Sequence, residues 1–178
     1  MNEIIIAGFG GQGVLAAGVI LANAGLQAEL EVTWLPSYGA AVRGGTANCA
    51  VKVDSEEIGS PYVDDPDILV VFNEPSMVKF EGRVKPGGYM FMNSSLIHEQ
   101  PQRDDITIVK VPATELASEV GNPRCANVFM LGVILSHTHM MSLDAANSSL
   151  EEYFAPKGEK IIELNKRALK AGFEWKEV

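Results

Sequence analysis

The stretch IIIAGFGGQGVLAA, Ile4 to Ala17, decides how the rest of the chain is read. Ile4, Ile5, Ile6 and Ala7 form a continuous apolar run, the pattern of a central strand buried on both faces of a parallel sheet. Gly8, Gly10, Gly11 and Gly13 follow at once, and Val14 to Ala22 reads as a mostly apolar helix ending near Gly25. Glu31 to Leu35 supplies a second strand, so the opening unit is strand, glycine turn, helix, strand. Gly8-x-Gly10-x-x-Gly13 therefore matches the dinucleotide fingerprint in spacing and in context. Glycines permit a tight turn with exposed backbone N–H groups, and the helix N-terminus adds a partial positive charge that favours an anion.

A dinucleotide site also needs an acid at the end of the second strand, where the ribose hydroxyls lie. That strand ends Val32-Thr33-Trp34-Leu35-Pro36, and Glu29 and Glu31 stand at or before its start. Gln12 and the doubled Gly10-Gly11 are unusual decoration for a hydride-transfer site. Three readings of the turn stay open: an NAD or FAD site, a site for the phosphate or pyrophosphate of another ligand, and close packing of turn against sheet.

Beyond the turn, a loop from Pro36 to Gly45 leads into a strand over Thr46 to Val53, with a turn at Asp54-Ser55 and a short Glu57-Ile58 stretch expected to pair back as a hairpin. Asp67 to Phe72 is another buried-strand pattern, and Asn73-Glu74-Pro75 opens a short helix carrying Met77, Val78 and Phe80. Lys85-Pro86-Gly87-Gly88 turns into a strand over Tyr89 to Met92, and Ile106 to Val111 gives one more. From Pro112 onward the pattern is helical: Ala113 to Val120, Ala126 to His137, a Ser142-capped segment to about Tyr153, and Pro156 to Ala171 closed by Gly172. The expected architecture is α/β, a Rossmann-like three-layer sandwich with a mostly parallel sheet and a helical C-terminal third, in one domain over residues 1–178.

Composition narrows the function. A net charge of -9 argues against nucleic acid, which requires a surplus of Lys and Arg on one face. The longest apolar run, Val128 to Leu135, falls well short of the roughly 20 residues that span a bilayer. Met1-Asn2-Glu3 lacks the basic start of a signal peptide, so a cytoplasmic protein without a membrane partner is expected. Cys49 and Cys125 are the only cysteines, which supplies neither a zinc spacing nor an iron–sulfur array. Both read as small buried hydrophobes.

Two further groups qualify as site candidates. Ser37-Tyr38-Gly39 with Arg43-Gly44-Gly45 places five guanidinium donors beside two glycines on a loop after a strand, suited to a carboxylate, a phosphate or a partner chain. The plainer reading is a surface arginine, but in an α/β sheet this loop and the glycine turn both leave C-terminal strand ends and can border one crevice. Asn127 stands near a helix start, where its amide either caps the helix or bonds the glycine turn. His137 and His139 read as a polar helix end, and no complete catalytic constellation is found.

The ordered set GFGGQGV, SYGAAVRGG, Asp67-Ile68-Leu69-Val70-Val71, KPGGYM and CANVFMLG resembles the gamma subunit, or gamma domain, of the 2-oxoacid:ferredoxin oxidoreductases over nearly the whole chain. The resemblance implies a component of a complex that decarboxylates a 2-oxoacid such as pyruvate or 2-oxoglutarate on thiamine diphosphate, reduces ferredoxin and releases an acyl-coenzyme A. It implies that thiamine diphosphate and Mg sit on alpha and beta subunits and iron–sulfur clusters on a ferredoxin-like delta subunit, with no cofactor held by this chain alone. Coenzyme A contact and coverage of the active site are the roles it implies here. By the same resemblance Gly8, Gly10, Gly11, Gln12 and Gly13 form the family's turn, Tyr38, Arg43, Gly44 and Gly45 its loop, and Asn127 its helix-start asparagine. Ala40, Ala41 and Val42 stand where the family often has Pro and Glu, so no acid is expected there.

Overall fold

The computed structural model describes residues 1–38 and 45–177. The elements run β1 (Asn2–Phe9), α1 (Val14–Gln27), β2 (Glu31–Tyr38), β3 (Thr46–Asp54), β4 (Ile68–Val71), α2 (Glu74–Phe80), β5 (Tyr89–Asn93), β6 (Thr107–Val111), α3 (Ala113–Val120), α4 (Ala126–Thr138), α5 (Leu143–Phe154) and α6 (Glu159–Glu174). The six strands form one sheet in the order β2-β3-β1-β4-β5-β6. β1, β4, β5 and β6 pair in parallel, whereas β3 runs antiparallel to both β1 and β2. The mostly parallel α/β sandwich with a helical end is thus as expected, and β3 is the one reversed strand.

Alternation along β1 divides the interior. Ile4 and Ile6 face the larger core, built with α1, α3, α4, α5 and α6, while Ile5 and Ala7 face a smaller one under Met77 and Phe80 of α2. α4 is buried from Ala126 through Leu135, which is why its sequence is apolar all round. It meets α6 backbone to backbone: a Cβ on Gly132 would lie 2.1 Å from the Leu169 carbonyl oxygen, and one on Gly172 2.0 Å from that of Phe129. This contact locks α6 onto α4, which itself lies in the larger core and is tied at its start to the glycine turn by Asn127.

Several local expectations are corrected. Glu57 and Ile58 form no strand, because β3 already has β1 and β2 on its two edges and offers nothing for a hairpin to pair with. α1 runs past Gly25 to Gln27 and stops where Glu29 takes a left-handed φ of 57°. Gly25 serves instead as a close approach, with a Cβ there 2.7 Å from Val32 Cγ2. β2 continues through Pro36 to Tyr38, which an edge strand tolerates when the missing donor faces away from the sheet. The last helix is interrupted: residues Ala155–Lys157 form a 3₁₀ turn, Gly158 breaks the chain direction at φ 86°, and α6 then runs beyond Gly172 to Glu174.

Candidate functional site

β1, β4 and β5 lie side by side and parallel, so the segments leaving their C-terminal ends border one crevice. Those segments are the glycine turn, Phe72-Asn73 and the Asn93 corner.

Gln12 organises the turn. The Phe9 N–H donates to Gln12 Oε1 at 2.6 Å, and Gln12 Nε2 donates to the Phe72 carbonyl at 3.0 Å. One side chain therefore staples the end of β1 to the end of β4. Its Oε1 also fills the space before Gly8, where a Cβ would sit 2.7 Å away. The Gly10 N–H donates to the Gly45 carbonyl at 2.9 Å, which brings the end of the Arg-Gly-Gly loop onto the turn.

Gly13 opens α1 with φ 74°, in the left-handed region that disfavours a side chain. Its carbonyl accepts from the Ala17 N–H at 2.9 Å and from Asn127 Nδ2 at 3.0 Å. A Cβ on Gly13 would stand 2.5 Å from that same Nδ2. Of the two roles open to Asn127, the bond to the glycine turn is the one it makes. Gly11 differs from its neighbours: φ is 99° and nothing would lie within 4 Å of its Cβ. The turn is held by the chain's own amides at Gly8 and Gly13, and it is open at Gly11.

Of the remaining candidates, Tyr38 ends β2 with its backbone opposite Ala47. Arg43, Gly44 and the Tyr38 side chain lie outside the described residues.

Two cavities flank the turn and meet at Arg124. One, of about 200 Å³, is lined by Gly11, Gln12, Phe72, Asn93, Thr114 and Arg124, among others. The second, of about 350 Å³, runs from Gly13 and Asn127 past Arg124 to Lys157 and Asn165, with aromatic walls from Tyr153 and Phe154. Lys157 packs its ammonium 5.3 Å from the Phe154 ring centre. Sequence reasoning missed Asn93, Thr114, Arg124 and Lys157. Only for Arg124 was a signal available, its place three residues before Asn127 at the start of a buried helix.

The other end of the sheet is charged for stability. Glu3 bridges Lys52 at 2.7 Å and Lys85 at 2.6 Å, and Lys85 reaches Asp67 at 3.0 Å. Burial works to raise the Glu3 carboxyl, but bonds from Lys52 and Lys85 outweigh it and hold the pKa below its ordinary value. The bond to Glu3, opposed by burial and aided by Asp67, raises Lys85. Both cysteines are buried, and burial pushes the Cys49 thiol up to about 12. Among the described residues no group of three or more His, Cys, Asp or Glu is placed to hold a metal ion. No helix there is long and apolar enough to cross a membrane.

A dinucleotide fits this geometry poorly. β3 separates β1 from β2, so the end of β2 lies two strand spacings, about 10 Å, from the glycine turn. Fold and crevice define a Rossmann-like α/β domain whose glycine turn is packed from within and is open at Gly11. The chain belongs to the pyruvate ferredoxin/flavodoxin oxidoreductase family, whose model matches residues 3–175. It is 40% identical over 175 residues to the ketoisovalerate oxidoreductase subunit VorA of Methanothermobacter marburgensis, covering 97% of this chain and 36% of that protein. The chain thus spans about a third of the length of that curated relative. Among solved structures, the keto/oxoacid ferredoxin oxidoreductase gamma subunit from Geobacter sulfurreducens superposes with a TM-score of 0.83 at 27% identity, covering 98% of this chain and 97% of that one. The 2-oxoglutarate:ferredoxin oxidoreductase from Magnetococcus marinus, with 2-oxoglutarate, coenzyme A and succinyl-CoA bound, superposes with a TM-score of 0.88 at 25% identity, covering 97% of this chain and 31% of that one.

Proposed function

We propose that this chain is the gamma subunit of a heteromeric, cytoplasmic, thiamine-diphosphate-dependent 2-oxoacid:ferredoxin oxidoreductase, in which it covers the active site and assists coenzyme A binding and assembly. The observation that carries the reading is the end-to-end match to a gamma subunit of about the same length. Thiamine diphosphate with Mg would reside on alpha and beta subunits, iron–sulfur clusters on a ferredoxin-like delta subunit, and ferredoxin would take the electrons. The thiamine cofactor supplies the decarboxylation chemistry, and coenzyme A accepts the acyl group.

This chain's share is binding and shaping. Its residues fit a phosphate-bearing ligand: Arg124 and Lys157 border one cavity, and Gly11 leaves the turn open beside Arg124. Gln12 and Asn127 hold the turn rigid, so that little ordering cost remains when a ligand or partner arrives. The test is co-purification. The tagged chain, co-expressed with its candidate thiamine-diphosphate subunits, is expected to pull down a complex of fixed stoichiometry; recovery of this chain alone would contradict the assignment. Within that complex, Arg43→Ala is expected to weaken assembly or raise the apparent KM for coenzyme A.

A further inference from the structure

β2 is an outermost strand of the sheet and, among the described residues, pairs only with β3. The ladder bonds decide which of its main-chain groups stay open. The Asp67 and Phe72 N–H groups donate to the Glu3 and Ala7 carbonyls, so the odd-numbered residues of β1 bond toward β4 and the even-numbered ones toward β3. Cys49 and Val51 face Ile6 and Ile4 and therefore bond β1, which leaves Asn48, Ala50 and Lys52 to bond Ser37, Leu35 and Thr33. Val32 and Trp34 thus turn both main-chain groups outward, and Pro36 turns its carbonyl. Open edges are commonly blunted by charges, lysine above all. From Val32 to Tyr38 β2 has none, and Pro36 is its one guard. The surface beside this edge is apolar as well. Trp34, 37% exposed, lies against α1, where a Cβ on Gly18 would stand 2.8 Å from Trp34 Nε1. Leu15, Val19, Ala22 and Leu26 follow one another at helical spacing next to the Gly18 face, and Leu26 is 59% exposed. No residue of α1 is charged. Elsewhere the chain is acidic: its net charge is -9, and Asp54, Glu56, Glu57, Asp64, Asp65 and Asp67 follow one another with no Lys or Arg between them.

We propose that this edge is a two-fold interface with a second copy of the chain, in which β2 pairs antiparallel with β2 of the copy and the two sheets join into one. Charge selects the occupant. Two chains of net charge -9 repel each other, and they approach with least repulsion through a face that carries no charge. A two-fold axis also suits the edge, because the same groups serve both sides. With the axis at Trp34, each Trp34 N–H donates to the Trp34 carbonyl of the other copy and each Val32 N–H to the Pro36 carbonyl, while the donor that Pro36 lacks falls opposite the Val32 carbonyl. Glu31 then stands across from Ser37 of the second copy, so like charges do not meet. Both α1 helices lie on the same face of the joined sheet. Since α1 sits over β3, with Gly18 against Cys49, the helices run about 14 Å apart, three strand spacings. The two Trp34 rings and the Leu15, Val19 and Leu26 side chains fill that gap. The inference stands apart from the coenzyme A reading, since the glycine turn leaves the C-terminal strand ends and this surface is the lateral edge of the sheet.

The test is sedimentation velocity of the full chain over a range of micromolar concentrations. A reversible dimer is expected, and its dissociation constant should fall as salt is added, because screening removes the mutual repulsion and leaves the apolar contact. Leu26→Glu is expected to raise that constant at least about tenfold. Val78→Glu is the control: Val78 lies on α2, away from this edge, and is 73% exposed, so its replacement should leave the dimer unchanged. Amide exchange on the wild type keeps the test open if Leu26→Glu does not fold. The outward Val32 and Trp34 N–H groups should exchange more slowly as concentration rises, whereas those of Thr33 and Leu35, bonded to β3, should be protected at every concentration. A monomer throughout, a dimer in which the Val32 and Trp34 amides exchange as in the monomer, or equal losses from Leu26→Glu and Val78→Glu would overturn the proposal. None of these readouts involves partner subunits or coenzyme A, so their failure leaves the functional reading standing.

Discussion

Replacing Gly13 by alanine tests whether the glycine turn is packed by Asn127 rather than shaped around a ligand. Two costs add at this position. A side chain at φ 74° carries the left-handed penalty of about 1–2 kcal/mol. Its Cβ would also lie 2.5 Å from Asn127 Nδ2 and 2.9 Å from Cγ. Asn127 is only 6% exposed, so it has little room to retreat. Losing its bond to the Gly13 carbonyl strands a buried amide at about 1–3 kcal/mol. The expected total is about 3 kcal/mol. Gly11→Ala is the control: its φ of 99° is strained too, but open space surrounds the added methyl, so about 1–2 kcal/mol is expected. Urea denaturation of the full chain and both variants measures the difference. In an Asn127→Ala background the clash disappears, and Gly13→Ala should then cost at least about 1 kcal/mol less than in the wild type. Equal costs for Gly13→Ala and Gly11→Ala, together with no coupling to Asn127, would refute the packing argument.

Other outcomes follow from particular contacts. Gln12→Glu keeps an acceptor for the Phe9 N–H but turns an oxygen toward the Phe72 carbonyl in place of Nε2, so destabilisation by about 2 kcal/mol is expected in the same denaturation assay. Gly132→Ala sets a methyl against the Leu169 backbone, which cannot swing aside as a side chain would; at least about 3 kcal/mol, or displacement of α6 seen as lost amide-exchange protection, is expected. The Glu3 carboxyl is held below its ordinary value, so its contribution to stability is complete above that ordinary value and is lost as pH falls through the lowered folded one. Lys85 has the opposite sign, its contribution complete below its ordinary value and lost as pH rises through the raised folded pKa. Lys85→Gln should therefore flatten both limbs of a stability–pH curve. With its thiol pushed to about 12, Cys49 should resist alkylation at pH 8 in the folded chain and react once urea is added.

The opening unit was legible because Ile4 to Gly13 carries its own punctuation: an apolar run for a strand buried on both faces, then glycines that end it. Strand order was not legible in the same way. Val51 and Val53 declare a buried strand, but their alternation says nothing about whether it lies between β1 and β2 or runs backward there. That insertion also removed the free edge which the Glu57-Ile58 hairpin would have needed. Gly25 and Gly172 have the pattern of helix stop signals, whereas each is a place where a neighbouring element comes too close for a Cβ. In the site, Gln12 was visible as an oddity of the motif, but the reason for it lies 60 residues away at the Phe72 carbonyl. Asn93 gave no signal at all. It enters the cavity wall only because the fold sets the end of β5 beside Thr114 and the start of α4, which no local pattern records.

The central proposal is that the coenzyme A-dependent 2-oxoacid chemistry of a complex depends on this chain. The direct measurement is reconstitution of the complex with and without this chain, following 2-oxoacid-dependent reduction of ferredoxin as coenzyme A is titrated. The expected result is saturable, coenzyme A-dependent reduction when the chain is present and loss of that dependence when it is omitted. Identical rates and identical coenzyme A saturation in the two preparations would contradict the account.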